Sequence, residues 1–306
     1  MPTATDAGES VPTTSPIGTA DETAAATVTI DDAFPDEVDQ LLEGRSGQYL
    51  VVVIGPNGEP EYRLNDDVQV QAASLYKLLI MVEVLKQVED GRLELDRPVR
   101  LEPGFFVEAG FDDPFDDSYI GSDVNVDDLL LPMVAYSSNV AAYALLDLVG
   151  NTNINATAAE LGLTASEIRW MPTHRSDHVS DAARYAQVPP ETPSAEDAFN
   201  VTSAADMALL FQLMVDGDLV SPGASERMLE ILTAQVVNNR LPALLPPDTD
   251  VAHKTGNIDN VVHDAGVIFT PSGLAVVVVL TADALEWEAI EFMQELALLV
   301  YELGAG

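Results

Sequence analysis

The period of the apolar positions changes several times along this chain, and each change marks an element. Residues 1–29 are Thr, Ala, Ser, Asp and Glu with almost no large apolar side chain, which predicts a disordered tail that cannot bury a core. A short helix is expected over 34–42, then an apolar strand at 49–54, a Pro56-Asn57-Gly58 turn and a return strand around 62–64, together a hairpin. From Ser74 to about Val215 the spacing is mainly helical, broken by Pro- and Asp-rich loops at 102–125 and 171–200. Strand patterning resumes at 251–254, 262–269 and 274–281, and a last helix follows. Strands from both ends must then share one sheet, with helices on it and a helical lobe inserted between them. The expected organisation is a tail of 1–29 and one domain of 30–306, in which a sheet lobe (30–73 plus 216–306) carries a helical lobe (74–215).

Charge narrows the partners. The 306 residues include 51 acidic against 13 basic side chains, a net charge of -38 that repels nucleic acid and anionic membranes alike. Such a surface fits adaptation to high salt, where screening relieves self-repulsion; generic acidic solubility is the alternative. No cysteine is present, so disulfides, thiolate zinc sites and a cysteine nucleophile are excluded. The apolar run 275–280 is too short to span a bilayer, and glutamates interrupt 284–303 in the manner of an amphipathic helix on a soluble core. Residues after Met1 lack the basic start and apolar stretch of a cleavable signal. A tail of this kind often tethers a surface domain, so a secreted, cell-surface or periplasmic location is expected, with any signal already removed.

Lysine is the scarcest charge: it occurs only at positions 77, 86 and 254, against ten arginines. Two of the three stand where acyl-transfer chemistry needs an amine, because a desolvated amine releases its proton and a guanidinium does not. Lys77 follows Ser74 in Ser74-Leu75-Tyr76-Lys77, one helical turn on and on the same face as the hydroxyl if a helix begins there. That spacing alone also describes a capping serine and a solvated lysine. Two further motifs change the balance: Ser137-Ser138-Asn139 at the start of an apolar helix over 140–149, and Lys254-Thr255-Gly256 on a strand, followed by a strand carrying His263-Asp264-Ala265-Gly266.

The order S-x-x-K, S-x-N, K-T-G resembles the class A β-lactamase and penicillin-binding serine hydrolase family over about residues 34–303, with Ser138 in place of the usual aspartate. Leu161-Gly162-Leu163, the segment 202–207 and the stretch from Asn239 to Lys254 also look like the family's connecting segments. The resemblance implies an α/β (α+β) fold, an antiparallel sheet flanked by helices with an inserted all-helical lobe. It implies that Ser74 is the acylated nucleophile and Lys77 its base or proton relay. Ser137 would pass a proton to the leaving nitrogen, and Asn139 would hold the substrate amide and Lys77. Lys254 and Thr255, with Gly256, would meet the substrate carboxylate, and the amides of Ser74 and Asn257 would form the oxyanion hole. Arg240, fourteen residues before Lys254, matches a carboxylate-binding arginine of some members; a surface arginine among acids is the other reading. No cofactor or metal is expected, and the protein is expected to act as a monomer on a small-molecule substrate.

One departure bears on the outcome of the reaction. The family's β-lactamases carry an R-W-E-P segment whose glutamate activates the deacylating water, and this chain reads Arg169-Trp170-Met171-Pro172. No glutamate lies between Glu167 and Glu191. His174, Asp177 and His178 are candidate substitutes or merely a polar loop rim. Glu196 and Asn200 copy the family's E-x-x-x-N spacing, a copy read as chance. The acidic run 111–117 lacks the alternating ligands and central glycine of a calcium loop and reads as solvated. The leading expectation is therefore acyl-enzyme chemistry on a β-lactam or a related amide or ester. The alternatives are a D-Ala-D-Ala carboxypeptidase or transpeptidase and a quiet binding protein.

Overall fold

In the computed structural model the described residues are 33–110, 112–169 and 200–305. The expected tail and the segment holding Trp170, Met171, Pro172, His174, Asp177, His178 and Glu196 lie outside them.

The hairpin expected near the start is present as β1 (Gln48–Ile54) and β2 (Pro60–Leu64), preceded by α1 (Phe34–Leu42). Two-residue strands β3 (Val70–Gln71) and β6 (Val201–Thr202) pair with each other, as do β4 (Pro98–Arg100) and β5 (Asp123–Asn125). The last three strands, β7 (Val251–Ile258), β8 (Val261–Thr270) and β9 (Gly273–Ala282), join the hairpin in one antiparallel sheet of order β2-β1-β9-β8-β7. The ends of the chain thus build the sheet together, as the strand positions predicted.

Both faces of that sheet are covered, which explains why β9 reads as a continuous apolar run instead of alternating with polar residues. Val276, Val278 and Leu280 point to one side and join the core shared with the helices of the middle of the chain. Ala275, Val277 and Val279 point to the other and meet Phe34 and Val38 of α1 and Phe292, Met293 and Leu296 of α8 (Glu286–Leu303). Arg45 fastens this second layer: it donates to Glu288 O at 2.6 Å, pairs with Glu291 and Glu295, and lies over the Phe292 ring.

The helical part is α2 (Tyr76–Glu89), α3 (Val126–Ala135), α4 (Asn139–Val149), α5 (Asn151–Glu160), α6 (Ala204–Val215) and α7 (Pro222–Thr233). The fold class is the mixed helix and antiparallel sheet expected. α2 is apolar nearly all round and buried accordingly, with Leu78, Ile80, Met81 and Val84 inaccessible to solvent. No helix among the described residues is long and apolar enough to cross a membrane.

With a net charge of -38, repulsion among surface carboxylates opposes folding until salt screens it. The screening length falls from about 10 Å at 0.1 M to about 3 Å at 1 M. The thermal midpoint is therefore expected to rise between 0.1 and 3 M salt; a midpoint that stays flat or drops would remove the salt-adaptation reading.

Candidate active site

The turn before α2 is strained. Residues Ala73–Leu75 form a single 3₁₀ turn, and Ala73 sits at φ +43°, a left-handed conformation that a residue with a Cβ adopts at a cost of about 1–2 kcal/mol. Ser74 follows it, partly buried, and the α-helix proper begins two residues later at Tyr76. Edge strand β7 presses on this turn at Gly256. A Cβ there would lie 3.0 Å from Ala73 Cβ and 3.3 Å from the Ser74 amide nitrogen, so glycine lets the strand approach the Ser74 backbone without crowding it. This contact brings Lys254-Thr255-Gly256 beside Ser74.

Lys77, in the first turn of α2, has no solvent exposure at all. Its ammonium donates to Ser137 O at 2.5 Å, Ser137 Oγ at 3.1 Å and Asn139 Oδ1 at 2.7 Å, which uses all three N–H donors. Ser137 occupies the tight link between α3 and α4 and is itself left-handed, at φ +56°. Its hydroxyl also accepts from Lys254 Nζ at 3.0 Å, and Lys254 donates again to Thr255 O at 2.7 Å. One serine hydroxyl therefore stands between two fully buried lysines. Asn139 is fixed at both ends of its amide, since its Nδ2 donates to Glu108 O at 2.8 Å. The Glu108 carboxylate in turn accepts from the Tyr143 hydroxyl.

Burial sets the basicity of this group. Desolvation pushes Lys77 down to about 7, opposed in part by the charges of Asp113 and Glu108. Lys254 is also pushed well below the ordinary lysine range, by burial first and then by the neighbouring charge of Lys77. A pKa near neutrality leaves Lys77 unprotonated in a large share of molecules, the form able to take a proton. Acylation is accordingly expected to rise about tenfold per pH unit below 7 and to level off above it. Initial rates of label uptake from pH 5 to 9 measure this, and a flat profile would exclude Lys77 as the base.

Arg240 is only 4% exposed and lies beneath the β7–β8 hairpin. Its Nη1 donates to Gly256 O at 3.0 Å and to His263 O, its Nη2 donates to the exposed Asn257 Oδ1 at 3.1 Å, and its Nε is buried without a partner. A surface location is thus ruled out. Arg240 braces the strand beside Ser74 and presents Nη2 toward Asn257.

Several residues support the site through contacts that sequence spacing does not reveal. His263, pushed down to about 4 by burial, is neutral; its Nε2–H donates to Gln71 O at 2.8 Å and its Nδ1 accepts from Thr281 N at 3.1 Å. It ties β8 to the chain three residues ahead of Ser74. His253 and Asp264 form a buried pair at 2.8 Å under Lys254, and Asp264 also accepts from Leu241 N. Asn200 accepts from Arg169 N at 3.0 Å through its side chain and from Ala72 N at 2.7 Å through its carbonyl. Asn200 thus fastens the turn that carries Ser74, while Glu196, the other half of the E-x-x-x-N spacing, lies outside the described residues. Asp113, read as part of a solvated loop, instead turns inward onto Ser138 and Asn139. Among the described residues no cluster of three or more His, Asp or Glu is placed to hold a metal ion.

Fold and site together fit a serine acyl-transfer enzyme class, with a serine on a strained turn and buried lysines converging on a second serine. A family described as the "Beta-lactamase enzyme family" matches residues 33–303. The chain belongs to that family. It is 22% identical over 244 residues to β-lactamase VEB-1 of Pseudomonas aeruginosa, covering 78% of each chain. Among solved structures, a β-lactamase from Sphaerobacter thermophilus DSM 20745 superposes with a TM-score of 0.75 at 24% identity, covering 88% of this chain and 97% of that one. A leucine-to-glutamate mutant of PBP-A, solved as an acyl-enzyme complex with penicillin G, gives 0.71 at 25% identity, with 88% and 95% covered.

Proposed function

We propose that this protein is a serine hydrolase acylated at Ser74 by β-lactams or related cyclic amides and esters. The observation that carries the reading is the Ser137 hydroxyl held between two buried lysines beside the Ser74 turn. In the proposed reaction Ser74 Oγ attacks the ring carbonyl as neutral Lys77 Nζ takes its proton, and the oxyanion accepts from the amides of Ser74 and Asn257. The C–N bond then breaks. The departing nitrogen takes a proton from Ser137 Oγ, and Lys77 returns its own proton to Ser137, which restores both groups. Asn139 orients Lys77 and the substrate amide, while Lys254, Thr255 and the Nη2 face of Arg240 meet the substrate carboxylate along Gly256. A monomer in a secreted, cell-surface or periplasmic setting suits this chemistry.

A second reading differs only in the fate of the ester. The missing glutamate at Met171 favours a penicillin-binding protein of the carboxypeptidase or transpeptidase kind, in which the acyl-enzyme persists. Incubation with a fluorescent penicillin, followed by intact mass, separates the two. Uptake with prompt loss means β-lactamase turnover, and uptake without loss means penicillin-binding behaviour. If no label enters wild type under conditions where it is folded, the acyl-enzyme proposal fails.

A further inference from the structure

The middle motif contains no carboxylate of its own, yet a carboxylate occupies the start of α4. Asp113 reaches it from the loop between α2 and α3. Its Oδ1 accepts from Ser138 Oγ at 2.7 Å, and its Oδ2 accepts from the backbone amides of Asn139 at 2.9 Å and Val140 at 3.4 Å. Ser138 is 1% exposed and in the same geometry accepts from Ala141 N at 3.1 Å as the helix cap. We infer that Asp113 is a positioning residue of the active site, a carboxylate supplied from a distant loop that sets the place of Asn139 and, through it, of Lys77.

The loop is built to hold that side chain still. Phe115 inserts into the main core and meets Tyr119 edge-on at 5.2 Å between ring centres. Phe115 N donates to Asp113 Oδ1 at 3.1 Å, and Asp116 accepts from Ser118 N at 2.9 Å, which closes the turn beyond. A negative group at the N-terminus of an 11-residue helix is also favoured by the unpaired amides there. The connection to chemistry is short: Asp113 holds the Asn139 backbone, and Asn139 Oδ1 receives the Lys77 ammonium at 2.7 Å. After burial, the charge of Asp113 has the largest influence on Lys77. Displacing Asn139 would shift the acceptor that holds the Lys77 amine in place, and misplacements of about 1 Å cost on the order of a hundredfold in rate.

This inference rests on the proposed acylation of Ser74, and a carboxylate swap tests it. Asp113→Ala should slow acylation by a penicillin by about ten- to a hundredfold. Ser138→Asp alone should also slow it, because two carboxylates would then crowd the same amides. Combined, Asp113→Ala and Ser138→Asp should recover most of the lost rate, since aspartate both caps the helix and returns the charge. A double variant no faster than Asp113→Ala alone would overturn the assignment. Amide hydrogen exchange at Asn139 and Val140, with α2 amides as the internal reference, supplies a readout that needs no substrate. Exchange should quicken in Asp113→Ala and slow again in the double variant; unchanged exchange in Asp113→Ala would equally overturn it. If wild type takes up no label, the proposed function fails while the exchange experiment still decides the anchor. Should Asp113→Ala not fold, a folded double variant with restored protection is the rescue expected.

Discussion

Lys77→Arg is expected to abolish acylation of Ser74 almost as completely as Ser74→Ala. The usual view of this exchange as conservative fails here for two reasons. A guanidinium keeps its proton at every accessible pH, so it cannot accept one from the serine. The pocket is also closed: Lys77 is fully buried, with each of its three donors assigned to Ser137 or Asn139. A larger, planar, permanently charged group in that space would displace those partners while leaving the reaction without its base. Loss of a positioned general base costs about 10²–10⁴-fold. Label incorporation over time, read by intact mass on variants with unchanged melting, gives the result. Labelling of Ser74→Ala at the wild-type rate would discard the nucleophile, and rapid labelling of Lys77→Arg would discard the base.

Met171→Glu is expected to act on the other half of the cycle. The two described residues that flank 170–199 meet beside the Ser74 turn: Arg169 N donates to Asn200 Oδ1, and Asn200 O accepts from Ala72 N, two residues before Ser74. Met171 lies two residues beyond Arg169 and cannot take a proton from water. A glutamate there should speed hydrolysis of the acyl-enzyme, up to the roughly 10²–10⁴-fold that a positioned general base contributes. The gain should fall below that limit, because no neighbouring groups have been selected to orient the new carboxylate or raise its pKa. Acylation should change little, since the proposed base for that step is Lys77. Stopped-flow acylation and chase-out of a chromogenic cephalosporin measure the two rates separately. If wild type already deacylates within seconds and Met171→Glu adds nothing, the base lies elsewhere, and His174 and His178 become the next substitutions.

The sheet was legible because its residues obey a local rule. Each strand of the hairpin and of the final three is an apolar run bounded by turn residues, and strands at both ends of a chain with helices between them leave few topologies. The three motifs were legible for a chemical reason: in a chain with three lysines, an amine at position 77 or 254 stands out, because it can release a proton that an arginine keeps. What the sequence hid is the set of contacts made across long separations. Asp113 looked like its acidic neighbours in 111–117, and nothing local distinguishes the one that turns toward Ser138. His263 and Arg240 were visible as residues, but their roles depend on the meeting of β8 with the Gln71 segment and of 240 with the β7–β8 hairpin, which pattern alone does not register. The left-handed backbone at Ala73 and Ser137 was hidden for a related reason, since neither residue type favours that conformation and the packing around the site imposes it.

The burial of two of the three lysines has a practical side. Lys86 is the remaining one, about a quarter exposed on α2 and paired with Glu160. Amine-directed reagents, whether dyes, crosslinkers or surface-coupling chemistries, therefore meet a folded molecule with a single accessible side-chain target, apart from any terminal amine. That target lies at the far end of the helix that begins beside Ser74, so a label or tether attached there would leave the site unobstructed and fix one orientation for every immobilised copy.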